Sequence, residues 1–277
     1  MNEHTTEGGH NGPLVLAVDT STAALAAALV RGGEVLREVQ SLAERNHSVH
    51  TVSVVQTMLA ESGVKPEELD GIAIGRGPGS YTGMRIAVSL GKTLAWVWQK
   101  PLVGISSLEA LAYGVQQPDE AGISQPVWII PIMDARRGQV YTASFASSKA
   151  AGSWTRLAPD GIRLIHDWVD ELAAGVRQAD AASRPASIWI VGELPQHEAE
   201  GKRLQELCAE LDVRLIPALL EGTAVAALGA KRIAAGAFDD VHTFSPNYTQ
   251  LTEAEVKLQE KIALQAAAEG AVNDDAN

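Results

Sequence analysis

Two aspartates close apolar runs: Asp19 follows Leu14-Val15-Leu16-Ala17-Val18, and Asp134 follows Pro131-Ile132-Met133. A carboxylate at a strand end suits a magnesium ion that carries phosphate. Mg²⁺ takes one or two protein carboxylates and completes its shell from water and phosphate oxygens. Asp19-Thr20-Ser21-Thr22 has the small neighbours such a site needs, whereas Asp134-Ala135-Arg136-Arg137-Gly138 has two arginines in their place. Between the two lies GRGPGSYTGMR, residues 75–85, set between an apolar run and a helical stretch. A P-loop requires Gly, four residues, then Gly-Lys-Ser/Thr, so that backbone N–H groups and the lysine surround the phosphates. The triplet Gly91-Lys92-Thr93 has Ile86 where that first glycine belongs, and Gly77, Gly79 and Gly83 put the third glycine one residue late for a dinucleotide fingerprint. Two readings of the turn stay open. Bare N–H groups at the start of the next helix can hold an anion, with Asp19, Gly77 and Gly79 as the candidate cofactor contacts. Alternatively, Gly77, Pro78, Gly79, Ser80 and Gly83 form a tight structural turn, with Ser80 or Thr82 capping the helix; Asp134, Arg136 and Arg137 form the corresponding structural motif further along.

Other reactive side chains carry less. His47 and His50 stand three apart on a helix, but no third ligand has companion spacing, and zinc or iron sites take three or four. The single cysteine, Cys208, excludes an internal disulfide and reads as a core thiol on a helix with Leu204, Leu207 and Leu211. The chain has 277 residues and a net charge of −12 without a run of Lys and Arg, which argues against direct, tight nucleic-acid binding. The polar start, MNEHTTEGGHNGP, has no signal-peptide core, and no stretch is apolar for long enough to span a membrane. A cytoplasmic protein is expected.

Alternating and apolar runs predict a meander of three strands (14–19, then to 30, then 34–39) around the turn Arg31-Gly32-Gly33. A helix follows over 46–62, a strand over 72–74, a helix over 84–98, a strand over 101–105 and a helix capped by Ser106 or Ser107. Residues 114–126 read as a linker. Beyond it the opening recurs: Asp134 aligns with Asp19 and Val140 with Leu25, so two related α/β halves are expected, residues 14–115 and 127–250. Strands at 188–191 and 213–216, a helix near 198–210 and a small-residue helix at 222–236 complete the second half. An N-terminal arm (1–13) and an Ala/Glu-rich tail (251–277) flank them.

The helix over 84–98 is apolar around most of its circumference, and Ala87, Gly91 and Ala95 make a seam that admits another helix. With Val54 and Met58 off the main stripe of the preceding helix, an interface over both helices is expected.

LAVDTST, RNHSVH, GRGPGSYTGMR, PLVGISSLEALA and MDARRGQVY together resemble the bacterial TsaB family, densely over 14–145 and thinly beyond. The resemblance implies an actin-like fold of two α/β halves and a non-catalytic subunit in the formation of threonylcarbamoyladenosine beside the anticodon of tRNA. It implies heterodimerisation with, and activation of, the paralogue TsaD through helices 46–62 and 84–98. The small ATPase TsaE joins them, and tRNA is held indirectly through the complex. Asn46, His47, His50, Val54, Met58, Tyr81, Thr82, Arg85, Ala87, Val88, Gly91 and Ala95 are the expected partner interface. No cofactor of its own is expected, a nucleotide at the heterodimer interface is left open, and a homodimer through the same seam is expected when the partner is absent. Where relatives often carry Pro-x-Tyr-Leu-Arg, this chain has Thr249 and Gln250 after Pro246-Asn247-Tyr248, which puts a basic contact there in doubt. The alternative reading is an active actin-like ATP-dependent phosphotransferase working at Asp19.

Overall fold

Alternation decides where the first strands sit. In β1 (Leu14–Asp19), Leu14, Leu16 and Val18 face one core while Val15 and Ala17 face another. In β2 (Leu25–Arg31), Leu25, Ala27 and Leu29 share the first core, and Ala26, Ala28 and Val30 the second. A strand buried on both faces is the centre of a layered α/β fold. The computed structural model describes residues 12–42, 47–115, 126–148, 153–181 and 183–249, with 47–49 described in the backbone alone. Nearly all of the expected arm, most of the linker, the tail, Asn46 and the His47 side chain lie outside the described residues.

The first half continues through β3 (Glu34–Ser41), α1 (His47–Glu61), β4 (Gly71–Gly75), α2 (Tyr81–Trp98), β5 (Leu102–Ile105) and α3 (Ser107–Gly114). The second half comprises β6 (Val127–Asp134), β7 (Gln139–Ser148), β8 (Ser153–Leu164), α4 (Ile165–Gln178), β9 (Ser187–Gly192), α5 (Glu198–Leu207), β10 (Asp212–Pro217) and α6 (Gly222–Ala234). Each half is three strands followed by helix–strand–helix–strand–helix. The two five-stranded sheets run β3-β2-β1-β4-β5 and β8-β7-β6-β9-β10, so the strand order repeats position for position. In each, the first strand pairs antiparallel with the second and parallel with the fourth. The two related halves of an actin-like α/β fold are present.

The register corrects one alignment. Asp19 pairs with Ala26 and Asp134 with Val140, so Val140 corresponds to Ala26 and not to Leu25. The first turn is one residue longer than the second. Two elements also lacked a sequence-based expectation: β8 and α4. The strand β8 is a partly exposed sheet edge carrying Pro159 and Gly161, which weakens its pattern. The helix α4 has an unbroken signal, with Ile165, Trp168, Val169, Leu172, Ala173 and Val176 buried at helical spacing.

Helices α1 and α2 cover the outer face of the first sheet, and α4 and α5 that of the second. Between the sheets lie α3 and α6, exchanged across the halves: α3 packs on the second sheet and α6 on the first. Small residues explain the close seat of α6, since Ala17, Ala26, Ala28 and Ala73 present only methyl groups to it. All of these elements belong to one compact unit ending at Asn247.

Candidate functional site

The residues that either hold an anion or form a tight structural turn are gathered by the fold into one closed knot. Asp19 is 1% exposed. Its Oδ2 accepts from the Ser107 hydroxyl at 2.6 Å, and its Oδ1 accepts from the Ser21 amide at 2.6 Å. Ser107 Oγ in turn accepts from the Gly77 amide at 3.0 Å, while the Ser107 amide donates to the Gly77 carbonyl at 3.0 Å. One carboxylate thereby links the turn after β1, the glycine turn and the start of α3. Burial raises the Asp19 pKa, and the hydrogen bonds from Ser107 and Ser21 oppose that rise.

The glycine turn lies directly on the β1–β2 turn. The Ser80 amide donates to the Ser21 carbonyl at 2.7 Å, and the Thr20 hydroxyl donates to the Gly83 carbonyl at 2.7 Å. A Cβ on Gly83 would fall 1.8 Å from the Thr20 oxygen, and one on Gly79, whose φ is 155°, would fall 2.3 Å from the Ser21 oxygen. Ser80 caps α2 by accepting from the Gly83 amide at 3.3 Å. The helix therefore starts at Tyr81, three residues before the expected Met84. Asp19, Gly77 and Gly79, the candidate cofactor contacts of the anion-binding reading, are engaged in the packing of two turns against each other. Lys92 is likewise engaged, donating to the His242 and Phe244 carbonyls at 3.0 Å each.

The corresponding turn of the second half is built differently. Arg136, Arg137 and Gly138 have φ of 66°, 53° and 73°, three successive left-handed residues that reverse the chain from β6 into β7. Non-glycine residues adopt this conformation at some cost. Backbone bonds close the turn: Ala135 donates to Gln139 at 3.0 Å and Gln139 to Arg136 at 2.9 Å. Both arginine side chains are exposed, so they stand on the surface and do not fill a phosphate position. Asp134 meets His197 Nε2 at 3.1 Å, and its amide donates to Glu193 at 2.8 Å. Cys208 is buried just beyond α5, and burial pushes its thiol pKa up, which disfavours a nucleophilic thiolate.

Helices α1 and α2 divide the expected interface residues between two faces. Met58, Ala87, Val88, Gly91 and Ala95 are buried in the chain's own core, which corrects their assignment to a partner surface. The small-residue seam lets α2 settle on its own sheet: a Cβ on Gly91 would lie 2.2 Å from Ile74 Cγ1. Val54 is half-buried against the same core. His50, Tyr81, Thr82 and Arg85 are exposed. The Arg85 guanidinium lies over the Tyr81 ring at 4.5 Å.

The outward face forms an open groove of about 550 Å³ between α1 and α2, where Val52, Tyr81, Thr82, Arg85, Ile86 and Leu90 meet. Further along α2, Trp96 and Val97 are also exposed, at 61% and 60%. Val52, Ile86, Leu90 and Trp96 had no sequence-based assignment to a site. Apolar residues on an amphipathic helix read as core until the position of the sheet is known.

Residues 38–160 match the family model for TsaD, tRNA N6-adenosine threonylcarbamoyltransferase. The tRNA threonylcarbamoyladenosine biosynthesis protein TsaB of Bacillus subtilis is 33% identical over 88% of this chain and 96% of its own length. The chain belongs to the TsaB family. The Escherichia coli TsaB is 30% identical over 57% of this chain and 67% of its own length. A Pseudomonas aeruginosa protein described as similar to peptidase YeaZ shares the fold with a TM-score of 0.65, at 24% identity, over 86% of this chain and all of that one. The TsaD match over residues 38–160 overlaps most of the stretch, 14–145, in which the family motifs are dense. Among the described residues no cluster of three or more His, Cys, Asp and Glu could hold a metal ion, and no helix is long and apolar enough to cross a membrane.

Proposed function

We propose that this TsaB-family chain is a cytoplasmic, non-catalytic subunit for making threonylcarbamoyladenosine in tRNA, and that it docks on and activates a TsaD-type transferase. The observation that carries the reading is the contrast between its two candidate surfaces. Asp19 is sealed within the knot of turns, while the apolar groove along α1 and α2 is open. A central apolar strip with an aromatic–arginine pair at one end is the composition of a protein interface. TsaE and a nucleotide at the heterodimer junction belong to the same proposal, and the acidic chain meets tRNA through its partners.

The test combines assembly with product. Light scattering of the chain mixed with the TsaD-type transferase of its own organism should give a one-to-one complex, and Val52→Asp with Tyr81→Asp should abolish it. In depleted cells, wild type but not this variant should restore threonylcarbamoyladenosine, read by mass spectrometry of tRNA nucleosides. Unchanged modification on depletion, or a variant that assembles and complements fully, overturns the proposal. Both positions are exposed, so the variant tests docking and not folding; bulk at Ala87 or Gly91 would disturb the core instead.

A further inference from the structure

A second cavity, polar and about 480 Å³ in volume, opens beside the C-terminal end of β5 and is walled on its other side by β8 and α6. Three arginines line it, and two are internally matched. Arg156 pairs with Glu109 at 2.7 Å and also with Asp160. Arg232 pairs with Asp239 at 3.2 Å and donates to the Gly104 carbonyl. The acids are engaged in turn, Glu109 also by the Trp154 indole at 3.0 Å, Asp160 by the Asn247 amide at 3.2 Å and Asp239 by the Gly104 amide at 2.7 Å. Two carboxylates converge on Arg156, and among the described residues none reaches Arg76.

Among the described residues, the Arg76 guanidinium has neither an ion pair nor a hydrogen bond, although the residue is only half exposed. Its backbone is fixed on both sides: the amide donates to Ile105 at 2.9 Å and the carbonyl accepts from Asn247 at 2.7 Å. A guanidinium on a fixed backbone, facing a polar cavity and without a protein acceptor, keeps its donors available to a ligand. Its planar fork of donors matches an oxyanion in two-point contact. Ser106 lines the same cavity and caps α3 by accepting from the Glu109 amide at 3.1 Å, which leaves its hydroxyl proton to donate. The N-terminal end of α3 adds a favourable field for negative charge.

We propose that this cavity binds the oxyanion group of a small polar metabolite, a phosphate or a carboxylate, with Arg76 as its principal contact and Ser106 as a second donor. A volume of about 480 Å³ lies within the range of small-molecule sites.

The full-length protein is titrated with sodium phosphate, sodium acetate and sodium chloride at matched ionic strength, with the melting temperature as readout. Phosphate or acetate should raise it above chloride, and whichever does so identifies the headgroup. Arg76→Gln should weaken that response at least tenfold in concentration, and Arg136→Gln, at the exposed hairpin tip, should leave it intact. Amide chemical-shift changes in wild type on phosphate or acetate addition should centre on residues 104–109, which tests the site even if Arg76→Gln folds poorly. Equal responses to all three salts, an unaltered response in folded Arg76→Gln, or shift changes elsewhere overturn the inference.

Discussion

Asp19 joins three segments through one buried side chain, and its charge state bears on stability. Because burial raises its folded pKa above the ordinary 3.8, the folded protein holds this proton more tightly than the unfolded chain does. The sign follows from linkage: this contribution favours folding most below the unfolded pKa and is lost as pH rises through the folded one. Denaturant midpoints measured from pH 4 to 7 should therefore decline less steeply in Asp19→Asn than in wild type. An amide can still accept from Ser21 and meet Ser107, so Asp19→Asn should fold. Asp19→Ala strands both partners and should cost about 1–3 kcal/mol. A wild-type and Asp19→Asn pair with identical pH slopes would refute the role of the raised pKa. The chemistry of this site was legible only in outline. Asp19 and the glycines were visible as a cluster of special residues, but Ser107, which closes the knot from 88 positions away, carries no local mark of that role.

At the scale of the element, α2 contains two surfaces that its sequence does not separate. Its apolar residues cover so much of the circumference that the small seam fits a partner helix and its own sheet equally well. The contact of Gly91 with Ile74 assigns the seam to the sheet. Gly91→Val should overpack that contact and cost about 1–3 kcal/mol in urea unfolding, whereas Ser89→Val, exposed on the same helix, should change stability by less than about 0.5 kcal/mol. Equal effects at the two positions would contradict the assignment of faces. The left-handed Arg136-Arg137 tip is a similar case. Its sequence suggested a crowded turn, but backbone hydrogen bonds close the turn and turn both side chains outward.

In the whole molecule, repetition of one strand order builds two sheets around a shared layer of α3 and α6. This leaves α1 and α2 outermost on the first sheet, with Tyr81, Trp96 and Val97 uncovered. If that face is the docking surface proposed above, the isolated chain should use it to pair with a second copy at high micromolar concentration. Adding the transferase should then convert homodimer to heterodimer in light scattering, because one groove cannot serve both. A ternary species with two copies of this chain in contact would show that the faces differ.

Much of this arrangement was determined by the sequence itself. Strand alternation, the recurrence of an apolar strand ending in Asp, helical spacing in α1, α2 and α6, and the family motifs are local patterns, and local patterns follow from which face of an element is apolar. The tertiary structure alone decided which sheet each helix covers, that α3 and α6 cross between the halves, that Asp19 is enclosed, and that Arg76 stands without a carboxylate among the described residues. Those outcomes depend on contacts between residues far apart in the chain, where packing geometry and desolvation act and residue spacing carries no information.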